Sequence, residues 1–405
     1  MKIAIVHYSV SPIVGGVESV IEHHARLMAD DGHQVQVIAG RGGQFDARIP
    51  FSQVALADSR HADVLAIKQE LDGGVVSQQF KELASKIEAQ LLELLSSTDL
   101  LIAHNVCSLN KNLALTAALF NISQQNKRPR LILWHHDLAW ASPRYRNELH
   151  AGYPWDLLKT AWKGVTQVTI SDMRQNELSE LMKIDKSQIT VIPNGVDMEN
   201  FFKLEEQTRE YVKRLKLLQA SPLLLLPVRI TPRKNIEFAL RVLASLRIRF
   251  TAAQLVVTGP LGPHNPANIK YLESLSMLST ELGLSNAAHF LAELTDEYIP
   301  DPVISDFYKL ADMLFFPSFE EGFGIPILEA GLANLPIFCS DIPPLQKLGG
   351  AYVNYFSPNE KPEIVAERVA GYLSASAVFG LRANFRSEYT WERIYLRKIA
   401  PLFRE

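Results

Sequence analysis

Two glutamates separated by seven residues, Glu321 and Glu329, stand in a glycine-containing segment that follows an apolar run. Gly322 and Gly324 permit a tight loop, and Pro326 suits the first turn of a helix. The free N–H groups at such a helix start favour an anion, while carboxylates accept hydrogen bonds from hydroxyl groups. The segment therefore predicts an anion site, with Glu321 in the loop and Glu329 in the first helical turn. For two isolated acids, an N-capping pair favoured by the helix dipole explains the pattern equally well.

Arg229 and Lys234 follow a second apolar run, 223–228, within one short segment. A planar guanidinium and a compact ammonium presented together can neutralise a diphosphate. Between positions 203 and 249 the chain has 11 Lys and Arg residues against 4 Asp and Glu residues, so the basic excess is local. A solvent-exposed run of charges is the alternative, and it is the more frequent explanation of a basic patch taken by itself.

A glycine pair, Gly15 and Gly16, lies between the first apolar run of the chain and an amphipathic segment. Glycines at a strand-to-helix turn let the backbone approach a phosphate or a sugar closely. The spacing is neither Gly-x-Gly-x-x-Gly nor Gly-x-x-x-x-Gly-Lys-Ser/Thr, which argues against a dinucleotide oxidoreductase and a P-loop nucleotidase. A plain tight turn is the alternative.

His136 is the candidate for proton transfer to or from a substrate hydroxyl, because it adjoins Asp137 after a further apolar run. A pair of histidines such as His135 and His136 is more often structural or surface-exposed. The chain contains neither His-Glu-x-x-His nor Asp-x-Asp, so the sequence offers no obvious metal site. A Gly-x-Ser-x-Gly nucleophile motif is missing as well.

Short apolar runs alternate with segments of helical periodicity along the chain, and this alternation predicts the elements that position these groups. It is typical of βα units that build a parallel sheet buried on both faces. The predicted strands of the first half are 3–6, 35–38, 100–103, 131–134, 168–170 and 190–192. Those of the second half are 223–228, 255–258, 289–291, 313–316 and 337–339. The predicted fold class is α/β, with two doubly wound Rossmann-like domains.

The boundary between the two domains is predicted at the turn-forming segment 193–197. An N-terminal domain then covers 1–195 and a second domain 196–384, while 385–405 forms a C-terminal helix that could pack back on the first domain. Ligands of open parallel sheets bind outside the carboxyl ends of the strands. Two such sheets facing one another are expected to form a cleft lined by the loops that follow the strands.

The composition excludes several classes of protein. With 47% hydrophobic and 21% charged residues, the 405-residue chain is typical of folded globular proteins rather than of disordered chains or coiled coils. The formal net charge of −3 gives no global field towards nucleic acid or anionic lipid. Cys107 and Cys339 are far apart, which excludes a disulfide framework. No run approaches the roughly 20 apolar residues of a spanning helix, so a cytoplasmic protein without an integral membrane segment is expected.

Taken together, the motifs resemble retaining glycosyltransferases of the GT-B fold, in particular the nucleotide-sugar-dependent family 4. The resemblance covers nearly the whole chain in order: the glycine pair, the His-Asp segment, Ile170-Ser171, the segment 193–197, Arg229 with Lys234, and Glu321 with Glu329. One departure is Pro227-Val228, where the family commonly has glycine just before the arginine. The resemblance implies metal-independent transfer of a hexose from a nucleotide diphosphate sugar to a hydroxyl acceptor, with retention at the anomeric carbon.

The resemblance also implies a role for each motif. Arg229 and Lys234 would hold the donor diphosphate, Glu321 with the backbone of 323–325 the donor sugar, and Glu329 the ribose diol, while 291–294 would line the base pocket. The implied catalytic residues are His136, Arg229, Lys234 and Glu321. The other implied donor-binding residues are Gly15, Gly16, Asn194, Glu293, Leu294, Phe323, Gly324, Ile325 and Glu329. No cofactor is expected besides the donor substrate, a UDP- or GDP-sugar carrying a hexose of the glucose or mannose type.

The acceptor is predicted to bind the N-terminal domain, where four of the 5 tryptophans fall between positions 134 and 162. Aromatic rings stack on sugars or lie at lipid interfaces, which makes Trp140 and Tyr145 the acceptor candidates, while core packing explains most of the cluster. The net charge favours a soluble acceptor over a lipid-linked one, and no nucleic-acid partner is expected. A sugar-nucleotide 2-epimerase of the same architecture and a catalytically silent sugar-nucleotide-binding protein stay open as alternatives.

Overall fold

The computed structural model describes residues 1–125, 129–261 and 267–403. The chain divides into two compact units. The first unit consists of Met1–Gly195 together with Trp391–Glu405, and the second unit is Val196–Thr390.

The first unit contains a seven-stranded parallel sheet in the order β3-β2-β1-β4-β5-β6-β7. Its strands are β1 (Lys2–Ser9), β2 (Gln34–Arg41), β3 (Phe51–Gln53), β4 (Leu100–His104), β5 (Arg130–His135), β6 (Thr166–Thr169) and β7 (Ile189–Val191). Its first five helices are α1 (Gly16–Asp30), α2 (Ala62–Asp72), α3 (Gln78–Leu94), α4 (Leu113–Gln125) and α5 (Asp172–Met182).

Both faces of this sheet are covered, which explains why its strands read as continuous apolar runs. Side chains of β1 alternate between two core clusters: Ala4 and Val6 belong to one, and Ile3 and Ile5 belong to the other. Because every side chain of β1 after Lys2 is buried, the sheet leaves only its carboxyl edge and the loops there for polar groups.

The second unit contains a six-stranded parallel sheet in the order β10-β9-β8-β11-β12-β13. Its strands are β8 (Leu223–Leu226), β9 (Gln254–Val257), β10 (Ala288–Phe290), β11 (Met313–Phe316), β12 (Ile337–Ser340) and β13 (Asn354–Phe356). Its helices are α6 (Met198–Phe202), α7 (Glu206–Leu215), α8 (Ile236–Leu246), α9 (Ala267–Glu281), α10 (Asp301–Leu310), α11 (Ile325–Leu332), α12 (Pro343–Gly349), α13 (Pro362–Ala375) and α14 (Ala377–Glu388).

The prediction of two doubly wound α/β sheets is confirmed, and each predicted strand overlaps a strand of the structure. The prediction was wrong in omitting β3 and β13. Both are edge strands in which only Phe356 is buried, so neither forms an apolar run in the sequence.

The last segment of the chain returns to the first unit through helix α15 (Trp391–Ile394), a π-helical turn (Tyr395–Ile399) and a 3-10 turn (Ala400–Phe403). Ile394 and Ile399 enter the core beneath the sheet, and the Tyr395 hydroxyl donates to Asp31 at 2.7 Å. At the boundary, a Cβ on Gly195 would lie 2.5 Å from the Trp391 ring. Residues 385–390, which were predicted to belong to this terminal helix, are instead part of the second unit.

Within the described ranges, no single helix is both long and apolar enough to cross a membrane. Helices α13 and α14 reach that length and composition only as a pair, and the pair is bent by 82°.

Candidate functional site

Lys234 and Glu321 meet at the carboxyl edge of the second sheet, although 87 positions separate them. Lys234 ends a 3-10 turn (Pro232–Lys234) after β8, and Glu321 follows β11, the strand paired with β8. The Lys234 Nζ lies 2.5 Å from the Glu321 Oε1, and the two side chains are only 9% and 8% exposed. The structure therefore brings two of the predicted motifs together through a buried ion pair.

Further cations surround this pair. The Arg233 guanidinium lies 4.0 Å from the other oxygen of Glu321 and donates to the Glu320 carbonyl at 3.3 Å. Burial lowers the pKa of Lys234, Glu321 opposes that shift, and the charges of Arg233 and Arg229 add to it. Arg229 itself is exposed. One carboxylate thus faces several cations, which leaves an excess of positive charge suited to an anionic ligand.

The loop after Glu321 requires glycine at position 324. Gly324 has a φ of +105°, and a Cβ there would lie 2.6 Å from the Leu345 Cδ2. Helix α11 begins directly afterwards with Ile325 and Pro326, as the sequence predicted for a helix start. Pro326 has no N–H, and the Ile327 N–H donates to the Gly324 carbonyl at 3.0 Å, so the Ile325 N–H is the first-turn group that can donate to an anion. Phe323 and Ile325 are more than half exposed there.

Glu329 lies in the second turn of α11, so the prediction that placed it in the first turn was wrong. Helix α11 starts at Ile325 rather than nearer to Glu329, because the turn at Gly324 is left-handed. The Glu329 carboxylate accepts a hydrogen bond of 2.6 Å from the Tyr308 hydroxyl. The N-capping alternative also fails, because the cap residue of α11 is Gly324 and the glutamates bond to Lys234 and Tyr308.

The predicted base-pocket residues follow β10. Glu293 ends a 3-10 turn, is exposed and accepts a hydrogen bond of 2.5 Å from the Ser276 hydroxyl. Leu294 is half-buried against the core of the second unit. Asn194, by contrast, is an exposed residue of the first unit, next to Gly195.

Val228 stands just before Arg229, where the glycosyltransferases that the chain resembles commonly have glycine, and the structure explains how valine fits there. Val228 is buried, and its carbonyl lies against the loop after β9. A Cβ on Gly259 would lie only 1.9 Å from the Val228 oxygen. The close backbone approach in this region is therefore made at Gly259, and the valine before Arg229 is accommodated.

In the first unit, the glycine pair precedes α1. A Cβ on Gly15 would lie 2.1 Å from the Glu18 carboxylate, whose other oxygen accepts a hydrogen bond of 2.7 Å from the Ser9 hydroxyl. A Cβ on Gly16 would meet nothing within 4 Å. Gly15 thus makes room for the acidic side chain, while Gly16 borders open space.

That space is a cavity of about 640 Å³ at the carboxyl edge of the first sheet. Gly16 lines it, and none of the other predicted site residues does. Its charged lining residues are Glu18, Arg41, Arg60, Lys111 and Asp137. Asp137 was considered only as the neighbour of His136, and the other four residues were missed because each stands alone in the sequence. The one available signal was that Arg41 ends β2 and Asp137 follows β5.

His136 is buried beside the cavity in a group of histidines. Its Nε2 lies 3.2 Å from the His104 Nδ1, and its backbone N–H donates to the Asn105 side chain. Burial lowers the pKa of His136 to about 3 and that of His7 to about 4, so both rings are neutral at pH 7. Among the described residues, no group of His, Cys, Asp or Glu side chains forms a metal site.

Trp140 and Tyr145 are both half-buried against the core of the first unit. The Trp140 indole donates to the Trp155 carbonyl at 3.1 Å, and the Lys159 ammonium lies 3.8 Å from the ring centroid. The Arg144 guanidinium covers the Tyr145 ring at 4.5 Å. Trp134, Trp155 and Trp162 are fully buried, as the core-packing alternative predicted for most of this cluster.

Two protein-family models match the chain. One is described as Glycosyltransferase Family 4 and matches residues 14–200. The other is described as Glycosyl transferases group 1 and matches residues 207–389. Each model lies almost entirely within one unit, and together they cover β2 to β7 of the first sheet and the whole second sheet.

Characterised relatives align over most of the chain. A mannosylglucosylglycerate synthase of Petrotoga mobilis is 25% identical over 370 residues, 86% of this chain and 84% of its own length. A synthase of the same name from Thermotoga maritima is 24% identical, and the alignment covers 85% of this chain and 83% of that relative. An MMP α-(1→4)-mannosyltransferase of Mycolicibacterium hassiacum is 24% identical, covering 84% and 81%.

Proposed function

Because this chain belongs to the GT-B glycosyltransferases of family 4 and is a hexosyltransferase, we propose that it transfers its hexose with retention and without a metal ion. The donor is a UDP- or GDP-sugar, and the acceptor presents a hydroxyl group. The observation that carries this proposal is the buried Lys234–Glu321 pair, with Arg229 and the start of α11 beside it.

In this proposal the second unit binds the donor. Arg229 and Lys234 neutralise the diphosphate, and the N–H groups around Gly324 and Ile325 add hydrogen bonds without a further ion. Glu321 binds hydroxyl groups of the hexose, and Glu329, oriented by the Tyr308 hydroxyl, binds the ribose diol. These cations stabilise the charge that develops on the departing diphosphate, which is the role a divalent ion has in other transferases.

Retention requires that the acceptor attack the face from which the nucleotide leaves. The bond between C1 and the diphosphate oxygen breaks, the acceptor oxygen bonds to C1 on the same face, and the departing phosphate oxygen takes the acceptor proton. A protein nucleophile is not needed. The position of Glu321 supports this route, because a carboxylate held 2.5 Å from an ammonium is a weak nucleophile.

Mannose is the first hexose to test, because the names of the three relatives reported above all contain the word mannosyl. The purified chain would be incubated with UDP- and GDP-linked glucose and mannose, labelled in the hexose, in the presence of a chelator. We expect transfer or slow donor hydrolysis, with an α-linked product from an α-linked donor by NMR. An inverted product, or activity that returns only with a divalent ion, would contradict the proposal. A donor epimerised at C2 would favour the epimerase, and binding without turnover the silent protein.

A further inference from the structure

The strand order places the two arginines that line the first-unit cavity on one side of β1. Arg41 ends β2, and Arg60 follows the 3-10 turn (Ala55–Ala57) after β3, on one side of β1. Asn105 and Asp137 follow β4 and β5 on the other side. Lys111 lies beyond β4, close enough that its charge contributes to the low pKa of His7. Both arginines of the lining therefore lie on the β2 and β3 side, and Lys111 adds a third cation from the segment after β4.

The two arginines are held next to each other by the loop at Asp58. The Asp58 carboxylate lies 3.5 Å from the Arg41 Nε, and its other oxygen accepts from the Arg60 backbone N–H at 3.0 Å. A Cβ on Gly40 would lie 2.0 Å from the Asp58 nitrogen, so glycine is what allows this loop to press against β2. The arginine side of the lining is thus built by specific packing.

Two of the three cations are left for a ligand. In the described part of the chain, neither the Arg60 guanidinium nor the Lys111 ammonium has a carboxylate partner, and both side chains are exposed at the cavity. Arg41 shares its charge with Asp58. A charged hydrogen bond from such groups to an anion is stronger than one between neutral groups.

Other residues of the lining carry groups that bind hydroxyls. Glu18 accepts from the Ser9 hydroxyl, and Asp137 accepts from the Asn105 amide at 3.3 Å, while the Arg174 guanidinium lies 3.9 Å from the other Asp137 oxygen. Both carboxylates line the cavity. His7 and Tyr8 line the same space. A ligand with an anionic group at one end and hydroxyl groups at the other would match both kinds of lining group.

We propose that the acceptor of this enzyme is a hydroxylated anion, whose carboxylate or phosphate binds Arg60, Lys111 and Arg41 while its hydroxyl groups face Glu18 and Asp137. This inference rests on the proposed function, since it names the substrate class for the acceptor side of the same reaction. It also replaces the aromatic side chains Trp140 and Tyr145, which are engaged in packing, as the main acceptor contacts.

The test compares matched probes: D-glucose, D-glucuronate and glucose 6-phosphate, titrated calorimetrically into the full-length protein. We expect at least one charged probe to bind more tightly than glucose, and glucuronate against glucose 6-phosphate distinguishes a carboxylate from a phosphate site. Lys111→Met and Arg60→Gln should each weaken binding of that probe roughly tenfold or more. Lys86→Met, an exposed lysine of α3 that does not line the cavity, is the matched control and should bind normally.

The phosphate probe could also bind the second unit near Lys234. Lys234→Met identifies this second binding event, because the substitution should abolish its heat and leave binding at the first-unit cavity unchanged. Equal binding of glucose and both charged probes, or unchanged binding in Lys111→Met and Arg60→Gln, would overturn the inference. Acceptor KM values with a labelled donor separate the two claims. If neutral and charged acceptors are used equally well, the inference is wrong and the proposed function stands. If no donor is ever cleaved, the proposed function is wrong, and the titrations still decide the anion site.

Discussion

The two sheets present charge at their carboxyl edges in different ways. In the second unit, two short segments supply a buried ion pair, Lys234 with Glu321, and a helix start a few residues later. In the first unit, single residues from five separate segments surround a cavity of about 640 Å³, and two of its cations are exposed. A diphosphate common to many donors suits the compact arrangement. An acceptor that is particular to one enzyme suits a cavity whose lining residues come from separate segments, because each of them can be substituted independently of the others.

The largest effect is expected where the second-unit arrangement is broken. Lys234→Ala removes a diphosphate contact and leaves the Glu321 carboxylate buried without its partner, so kcat/KM should fall roughly 30- to 5,000-fold, equivalent to about 2–5 kcal/mol. Arg229→Ala should lie at the lower end of that range, because Arg229 is exposed. Steady-state kinetics measures kcat/KM for both variants, and thermal unfolding checks that each variant is folded. Arg249→Ala, an exposed arginine of the same unit, is the control.

The two glutamates should differ in the kinetic constant that they change. Glu321→Gln should lower kcat about 10- to 100-fold, since a charged hydrogen-bond acceptor at the hexose is lost, and Glu329→Gln should chiefly raise the donor KM. Tyr308→Phe, which removes the hydrogen bond that orients Glu329, should raise the donor KM by a smaller factor. Titration with free nucleoside diphosphate checks the assignment. Weaker binding in Glu321→Gln with normal binding in Glu329→Gln would mean that the two roles are reversed.

The aromatic cluster of the first unit should respond in stability rather than in acceptor use. Trp140→Ala loses packing, an indole hydrogen bond and the contact with Lys159, so the free energy of unfolding should drop by about 2 kcal/mol. Urea unfolding of the variant measures this. An unchanged midpoint together with a higher acceptor KM would restore Trp140 as an acceptor residue.

Acid should weaken the first unit through its buried histidines. Burial lowers the pKa of His24 to about 3, and neither ring nitrogen has a hydrogen-bond partner among the residues that the structure describes. Between about pH 6.5 and 3 the unfolded chain binds more protons than the folded one. The free energy of unfolding should therefore decrease as the pH is lowered, by roughly 1 kcal/mol per pH unit for each such ring. His24→Phe should flatten that slope.

Tryptophan fluorescence reports this effect selectively, because all 5 tryptophans belong to the first unit. Urea midpoints followed by fluorescence from pH 7 to 5 should decline in the wild type and less in His24→Phe. Parallel declines in the two proteins would show that His24 does not carry the effect.

The sequence predicts more of the second-unit site than of the first-unit cavity. The positions of Lys234, Glu321 and Gly324 in the loops after β8 and β11 could be predicted, because each residue belongs to a contiguous motif that directly follows an apolar strand. Glu329 was placed one turn too early, since the helix start depends on the left-handed turn at Gly324 and its contact with Leu345.

The acceptor cavity could not be predicted, because it exists only after β1 to β5 have paired. Arg60 and Lys111 carry no local pattern, and they line one cavity because of the strand order and because the loop at Asp58 packs against Gly40. His136 was singled out because it adjoins Asp137, and its role in proton transfer stays a prediction. Tertiary packing, which the sequence pattern does not show, encloses its ring among other histidines.

The most direct test of the central claim is a calorimetric titration of UDP and GDP into the full-length protein and into Lys234→Met. The account predicts that one of the two nucleotides binds the wild type with one site per chain, in the presence of chelator. It also predicts that the substitution weakens this binding at least tenfold while Arg249→Ala does not. Absence of binding for both nucleotides, or equal affinity in the wild type and Lys234→Met, would contradict the assignment of the Lys234–Glu321 region as the donor diphosphate site.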